Sequence, residues 1–311
     1  MRYFITVDGG TTNTRVTLIK EEQILETKRI ALGARAGIDG KKPLAEALKD
    51  AIAQLLKTHG VAEAEVECIL ASGMITSEYG LCTLPHLLLP AGLKELHNGM
   101  KKVVLKEISP IPFCFIPGVK VLGEDFLSSD MIRGEETELM GILDRSFGDC
   151  VYVLPGSHSK VIKTNRDGKI ENFSTLLSGE MAQALSENTI LRGAVELSVD
   201  SINEEYLKKG YFYCREHGIN QSLFKVRILK VLFGGSPEEA YSFFLGAVLC
   251  GEVGEILRYG AETVVVGGKR QLREALATIL NEIGSMRVIT LTEDEVQSSV
   301  ARGMLRIYGA K

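Results

Sequence analysis

The sequence predicts an α/β protein of two domains, each opening on the same strand–turn–strand device. Three observations carry that expectation. Arg2-Tyr3-Phe4-Ile5-Thr6-Val7 is β-branched and aromatic and reads as a short buried strand. It runs through Asp8-Gly9-Gly10-Thr11-Thr12-Asn13-Thr14-Arg15 straight into a second strand-like run, Val16 to Lys20. Cys150-Val151-Tyr152-Val153-Leu154 repeats the pattern through Pro155-Gly156-Ser157-His158-Ser159-Lys160 into Val161 to Thr164. Both turns end in a basic residue and both are followed by a further turn and a third strand, which is an internal repeat at domain scale. With 311 residues the chain exceeds the size at which a single core usually keeps growing. The boundary falls between residues 148 and 149, giving domains 1–148 and 149–311, the second with a helical insertion over about 180–260.

Composition narrows the class. Apolar residues make up 45% and charged residues 24%, the balance of a soluble globular protein. A net charge of −4 without a Lys/Arg block argues against nucleic acid and anionic membranes as partners. The chain enters a strand at once, so no signal peptide is expected, and a cytoplasmic location follows. Its most apolar stretch, Phe243 to Cys250, is soon broken by Glu252 and Glu255. Six scattered cysteines without a CxxC pair read as reduced core thiols.

Taken in order, the first hairpin is followed by a third strand at Gln23 to Ile30. Gly33 to Gly40 is a loop whose Arg35 is either a ligand contact or solvated surface. Pro43 to His59 is a helix with Leu44, Leu48, Ala51, Ile52, Leu55 and Leu56 on one face, opened by Pro and followed by Gly60. Glu67 to Ala71 is a buried strand ending in Ser72-Gly73-Met74-Ile75-Thr76-Ser77. Small and polar residues there suit a ligand, although Ser72 or Ser77 is equally well placed to cap a helix. Leu84 to Leu93 reads as a surface loop and Ile111 to Ile116 as a strand. Asp130-Met131-Ile132-Arg133-Gly134-Glu135-Glu136-Thr137-Glu138-Leu139 opens a helix carrying Leu139, Ile142, Leu143 and Phe147, with Gly148 as its C-cap. Residues 178–260 are mostly helical. A long helix begins at Pro237, and its Gly246, Gly251 and Gly254 suggest close approach by a neighbour. The tail returns to α/β: a strand at Thr263 to Val266, a tight turn at Gly267-Gly268-Lys269, a helix over Arg270 to Ile283, a strand at Arg287 to Leu291, and a last helix turning Val296, Val300, Met304 and Ile307 inward.

The turns suit phosphate chemistry. Glycine backbone N–H groups approach an anion closely, and Thr11 and Thr12 add hydroxyl donors. Asp8 is suited to holding Mg²⁺ through water. Two such turns suggest a nucleotide clamped in a cleft, with Gly267-Gly268 a third backbone approach point where an adenosine fits. Phosphoryl transfer then needs a carboxylate to deprotonate the attacking hydroxyl, and Glu135 and Glu136 beside Arg133 offer one. The competing reading is that Glu135, Glu136 and Glu138 simply complement a helix dipole. Arg133 suits a substrate carboxylate, or a surface ion pair. His158 and Lys160 either meet phosphate charge or are solvated, whereas His59, His86, His97 and His217 lack metal-ligand spacing and read as bystanders. No Ser-His-Asp order or GxGxxG-to-helix fingerprint supports a hydrolase or a dinucleotide enzyme.

These motifs resemble the actin-like ATPase and sugar-kinase superfamily, through Asp8-Gly9-Gly10-Thr11-Thr12-Asn13-Thr14-Arg15 as its first phosphate motif. Within it, Arg133 to Leu139, Leu154 to Lys160, Phe173-Ser174-Thr175-Leu176-Leu177-Ser178-Gly179-Glu180 and the Ala71-to-Ser77 segment resemble the 2-dehydro-3-deoxygalactonokinase family across essentially the whole chain. The resemblance implies two ribonuclease-H-like domains with mixed five-stranded sheets flanked by helices, a ligand cleft between them, and ATP and Mg²⁺ as cofactors. It implies transfer of the ATP γ-phosphoryl group to the 6-hydroxyl of 2-dehydro-3-deoxy-D-galactonate, in galactonate breakdown. It further implies Gly134-Glu135 in the place of the Gly-Asp pair that supplies the general base in related kinases, with Glu136 as competitor. The sugar acid's site is then expected at Arg133, Met74, Ser77 and Arg35. Phosphate and nucleotide contacts are expected at Gly9, Gly10, Thr11, Thr12, Asn13, Arg15, Gly156, Ser157, His158, Lys160, Gly267 and Gly268, and the metal at Asp8. One departure is that Leu154 and Pro155 stand where many superfamily members carry an Asp. The alternatives are a kinase for another sugar or sugar acid, or a non-metabolic actin-like ATPase. A homodimer and a last helix packing back on the first domain are also compatible with the sequence.

Overall fold

Strand β1 (Tyr3–Gly9) pairs antiparallel with β2 (Thr14–Lys20), which pairs antiparallel with β3 (Gln23–Ile30). These are the β-branched runs of the sequence, and β1 extends through Asp8 and Gly9, so the turn proper is Gly10 to Asn13. The computed structural model describes residues 2–35 and 42–310. Most of the expected Gly33–Gly40 loop therefore lies outside the described residues.

Helix α1 (Lys42–His59) buries the six aliphatic side chains of its one apolar face. Parallel strand β4 (Val66–Gly73) then takes its place beside β1. Leu87–Leu88 forms a short strand, β5, where a plain surface loop was expected, and α2 (Leu93–Asn98) follows. Strands β6 (Lys101–Val103) and β7 (Phe113–Phe115) complete a six-stranded sheet ordered β3-β2-β1-β4-β7-β6. The expected five strands gain a sixth because β6 returns antiparallel along β7. Strands β8 (Val119–Val121) and β9 (Asp130–Ile132) form a separate small sheet with β5, so Asp130 to Ile132, expected to open the next helix, are held in an antiparallel ladder with β8 instead. Helix α3 (Glu135–Ile142) is shorter than its apolar pattern suggested. It ends at Ile142 with Leu143 as its C-cap, a 3₁₀ turn spans Arg145–Phe147, and Gly148 follows that turn at a φ of 66° instead of capping the helix.

The second sheet is ordered β12-β11-β10-β13-β14. Its first three strands are β10 (Cys150–Leu154), β11 (Ser159–Thr164) and β12 (Ile170–Leu176). Five helices follow: α4 (Ser178–Asn188), α5 (Glu204–His217), α6 (Ile219–Phe233), α7 (Pro237–Val248) and α8 (Cys250–Tyr259). The long helix expected from Pro237 breaks at Leu249 into α7 and α8. Of its glycines, Gly246 lies against the Leu207 carbonyl of α5 and Gly251 against Leu176, whereas Gly254 faces open space. The Pro237–Tyr259 stretch is apolar enough for a membrane span by composition, but 72% of its most apolar window is buried in the protein core. Strand β13 (Thr263–Val266), helix α9 (Arg270–Ile283), strand β14 (Arg287–Thr290) and helix α10 (Glu293–Gly309) end the chain.

Both sheets share one topology: an antiparallel three-strand meander whose first strand lies parallel to the fourth strand of the repeat. The chain divides into two units, one of residues 1–144, 168–171 and 294–311, the other of residues 145–167 and 172–293. Each has its own core. In the first, α1 packs on Ile5, Val7, Val16 and Leu18, and in the second α5, α7, α8 and α9 pack on Val151, Val153, Val161 and Val264.

Candidate active site

In the first unit the site is assembled where three glycines converge. Gly9 and Gly73 end the parallel strands β1 and β4 as cross-strand partners. Gly73 has a φ of 86°, and a Cβ there would stand 2.5 Å from the Gly9 carbonyl. Gly134 carries a φ of 116° and approaches the Gly73 Cα on its other side. Side chains are excluded from all three, so the turn after β1, the 3₁₀ turn Met74–Thr76 and the start of α3 come together on bare backbone.

The first turn is closed by Gly10 N–H donating to the Asn13 carbonyl at 2.9 Å. The backbone N–H groups of Ala34 and Arg35 donate to the carbonyls of Gly10 and Thr11, which lays Arg35 alongside the turn with its side chain in solvent. Thr11, Thr12 and Asn13 are exposed. Asp8 faces Arg15 across the strands, with Oδ2 3.2 Å from Nε. Burial raises the Asp8 pKa, Arg15 opposes that, and the Glu135 charge adds to it. Glu138 is pushed up to about 7, by burial and then by the charges of Glu135 and Asp8. Asp8 and Arg15 also line a cavity of about 260 Å³ with Thr6, Thr17 and Gln297. Among the described residues no three acidic, His or Cys side chains converge closely enough to hold a metal directly. The mutual repulsion of Asp8, Glu135 and Glu138 nevertheless suits a hydrated divalent cation, which would relieve it.

Glu135 and Glu136 are neighbours with opposite settings. Glu136 is fully buried: Oε2 accepts from the Gly134 N–H at 2.7 Å and Oε1 from the Thr137 hydroxyl at 3.1 Å. Ser72, at the end of β4, meets Thr137 at 2.6 Å in the same network. Burial, then the Glu135 charge, pushes the Glu136 carboxyl up to about 8. Glu135 stays partly exposed and accepts from the Arg133 N–H at 3.2 Å. The dipole reading of the first helical turn therefore accounts for neither residue fully.

The Arg133 guanidinium turns into the protein. Its terminal nitrogens donate to the Thr76 carbonyl and hydroxyl at 2.8 and 2.7 Å, to the Leu84 carbonyl at 3.0 Å and to His86 Nδ1 at 3.2 Å. His86 is thus a buttress and not a bystander. Arg only donates, so Nδ1 accepts and the ring is neutral there; burial, then the Arg133 charge, drops its pKa to about 4. Ser77 spends its hydroxyl on the Met74 carbonyl at 2.7 Å, and neither it nor Ser72 caps an α-helix.

In the second unit Gly156, Ser157, His158, Lys160, Gly267 and Gly268 gather at one end of the sheet. Gly267 donates to the Val153 carbonyl at 2.8 Å, and Gly268, at a φ of 73°, packs its backbone against Pro155. Gly156 N–H donates to Ser159 Oγ at 3.3 Å. His158 is exposed and pairs with Glu180 at 2.6 Å. Lys160 is buried and donates to the His158 carbonyl at 2.8 Å, so it braces the turn from beneath. The sequence pattern held no sign of this inward turn, nor of the parts played by His86 and Glu138. Burial on one face of a sheet is decided by partners distant in sequence.

A model of the 2-keto-3-deoxy-galactonokinase family matches residues 8–307. The chain belongs to that family. It is 29% identical over 273 residues to the 2-dehydro-3-deoxygalactonokinase of Escherichia coli (strain K12), covering 85% of each chain. A Rhizobium meliloti (strain 1021) protein named as a probable 2-dehydro-3-deoxygalactonokinase is 26% identical over 256 residues, covering 79% of this chain and 78% of that one. The crystal structure of a candidate 2-dehydro-3-deoxygalactonokinase from Sinorhizobium meliloti has the same fold, with a TM-score of 0.80 at 24% identity over 99% of this chain and 98% of that one. The Clostridium difficile activator of 2-hydroxyisocaproyl-CoA dehydratase shares the fold more distantly, with a TM-score of 0.53 at 14% identity over 99% of this chain and 95% of that one. As a 2-keto-3-deoxy-galactonokinase family member, the protein is a carbohydrate kinase of the actin-like ATPase fold, and a kinase of this kind uses ATP.

Proposed function

We propose that this kinase transfers the γ-phosphoryl group of ATP to the 6-hydroxyl of 2-dehydro-3-deoxy-D-galactonate, in the cytoplasm. The observation that carries this reading is the family match over residues 8–307, which spans both loops and the Glu135 cluster. Glu135 takes the proton of the attacking hydroxyl as the alcohol oxygen bonds to the γ-phosphorus and ADP leaves. Glu135 suits this role because its carboxylate is partly exposed, while Glu136 is sealed inside and committed to Gly134 and Thr137. In the first unit Thr11, Thr12 and Asn13 offer donors to phosphate, and in the second unit Gly156 and Ser157 do. Asp8 would hold Mg²⁺ through water, and the bound cation would neutralise polyphosphate charge. Arg133, whose fork is already filled by Thr76, Leu84 and His86, frames the acceptor site instead of binding the substrate carboxylate.

A coupled ADP-release assay over a panel of 2-keto-3-deoxy sugar acids and neutral hexoses tests the reading. ADP release that depends on the galactonate-derived acid is expected. Turnover indifferent to any acceptor would favour an actin-like ATPase, and equal rates on a neutral hexose would favour a different kinase.

A further inference from the structure

Glu252 of α8 is the one buried carboxyl among the described residues whose oxygens both lack a hydrogen-bond partner. It is completely enclosed, and burial raises its pKa while the Ser178 and Ser159 hydroxyls facing it pull the value back. Cys250, two residues earlier on the same helix, adds only a thiol to its surroundings. Leaving such a group unmatched costs stability, so its retention calls for a reason outside the core.

Its two hydroxyl neighbours are the two anchors of the second loop. Ser159 Oγ accepts from the Gly156 N–H, so the Ser159 proton must be donated elsewhere. Ser178 begins α4, and the residues after it close over the same loop. The Glu180 N–H donates to the Ser157 carbonyl at 3.0 Å, and Gly179 lies so close to the Gly156 carbonyl that no side chain fits there. One carboxyl therefore stands behind both ends of the loop that presents Gly156 and Ser157.

We propose that Glu252 is a positioning residue for nucleotide binding: its carboxyl accepts the hydroxyl protons of Ser159 and Ser178 when the loop holds polyphosphate, fixing the backbone N–H groups of Gly156 and Ser157. The inference rests on the reading of this loop as a phosphate site. No side chain of Glu252 touches the nucleotide; it acts through the two serines.

The test is steady-state kinetics on the full chain with ATP and the sugar acid varied separately, together with ADP affinity by calorimetry. Glu252→Ala is expected to raise the KM for ATP and the ADP Kd by about 5–30-fold while leaving the KM for the sugar acid within about twofold. Glu252→Gln, which keeps one acceptor oxygen, restores most of the affinity. Ser159→Ala added to Glu252→Ala weakens ADP binding no further, because both act in one network. A Glu252→Ala protein with unchanged ATP parameters, or with both KM values raised alike, overturns the proposal. Should Glu252→Ala fail to fold, Glu252→Gln with Ser159→Ala and Ser178→Ala decides it: unchanged ADP binding in all three refutes it. Ser157→Glu, which places a charge on the exposed turn, separates the two claims. If it leaves ADP binding intact, the loop is not a phosphate site. If it weakens ADP binding while the Glu252 variants do not, only the role of Glu252 is lost.

Discussion

The two hairpin loops are copies of one device that have been finished differently. Each lies between antiparallel strands, and each is flanked by a cross-strand pair containing a basic residue, Asp8 with Arg15 one pair short of the turn in the first and Leu154 with Lys160 at the turn in the second. In the first, the acid and base are adjacent and partly exposed, and two further carboxylates crowd the acid. In the second, a leucine replaces the acid, the lysine folds beneath its own turn, and the nearby carboxyl, Glu252, is buried behind the loop. On the proposed reading the backbone supplies phosphate donors in both places, and charge to hold a cation is concentrated in one.

Breaking the chemistry around the first loop, at Glu135 of α3 and at Asp8, should have the largest effects. Glu135→Gln is expected to lower kcat by about 10²–10⁴-fold with the fold intact by circular dichroism. A near-normal rate would move the base elsewhere. Asp8→Asn should reduce activity about 10–100-fold and raise the Mg²⁺ concentration needed for half-maximal rate, as loss of an outer-shell partner does. Retention of the wild-type Mg²⁺ dependence would remove Asp8 from the metal's surroundings.

Crowding offers a second contrast. Gly73→Ala puts a Cβ into the Gly9 carbonyl at a φ of 86° and should cost about 1–3 kcal/mol in urea unfolding. Gly156→Ala meets nothing within 4 Å and should leave stability nearly unchanged. Equal losses would mean that the two loops are packed alike.

Titration sharpens the comparison further. The Glu136 carboxyl is raised to about 8 from 4.5, so the folded state keeps a proton that the unfolded chain releases. Its contribution is fully present below about pH 4.5 and is lost as the pH rises through about 8. Glu136→Gln should flatten that fall, gaining roughly 1–3 kcal/mol relative to wild type between pH 5 and 8 in unfolding experiments. Parallel pH curves for the two proteins would contradict it. The smallest effect expected is for Thr12→Ala, an exposed hydroxyl, at about 2–10-fold in the KM for ATP without a change in stability.

The sequence by itself determined the strands of the two meanders, the two turns and their repetition, because β-branched runs and Gly-Thr or Gly-Ser turns state their conformations locally. It likewise determined that Glu135 and Glu136 open a helix beside Arg133. Only the tertiary structure decided which of the two glutamates is sealed, that Arg133 is spent on Thr76, Leu84 and His86, and that Lys160 turns inward. It alone placed Glu252 behind Ser159 and Ser178, residues 93 and 74 positions earlier in the chain. Burial and hydrogen-bond partnership come from packing between segments distant in sequence, whereas turn and strand conformations are set by adjacent residues.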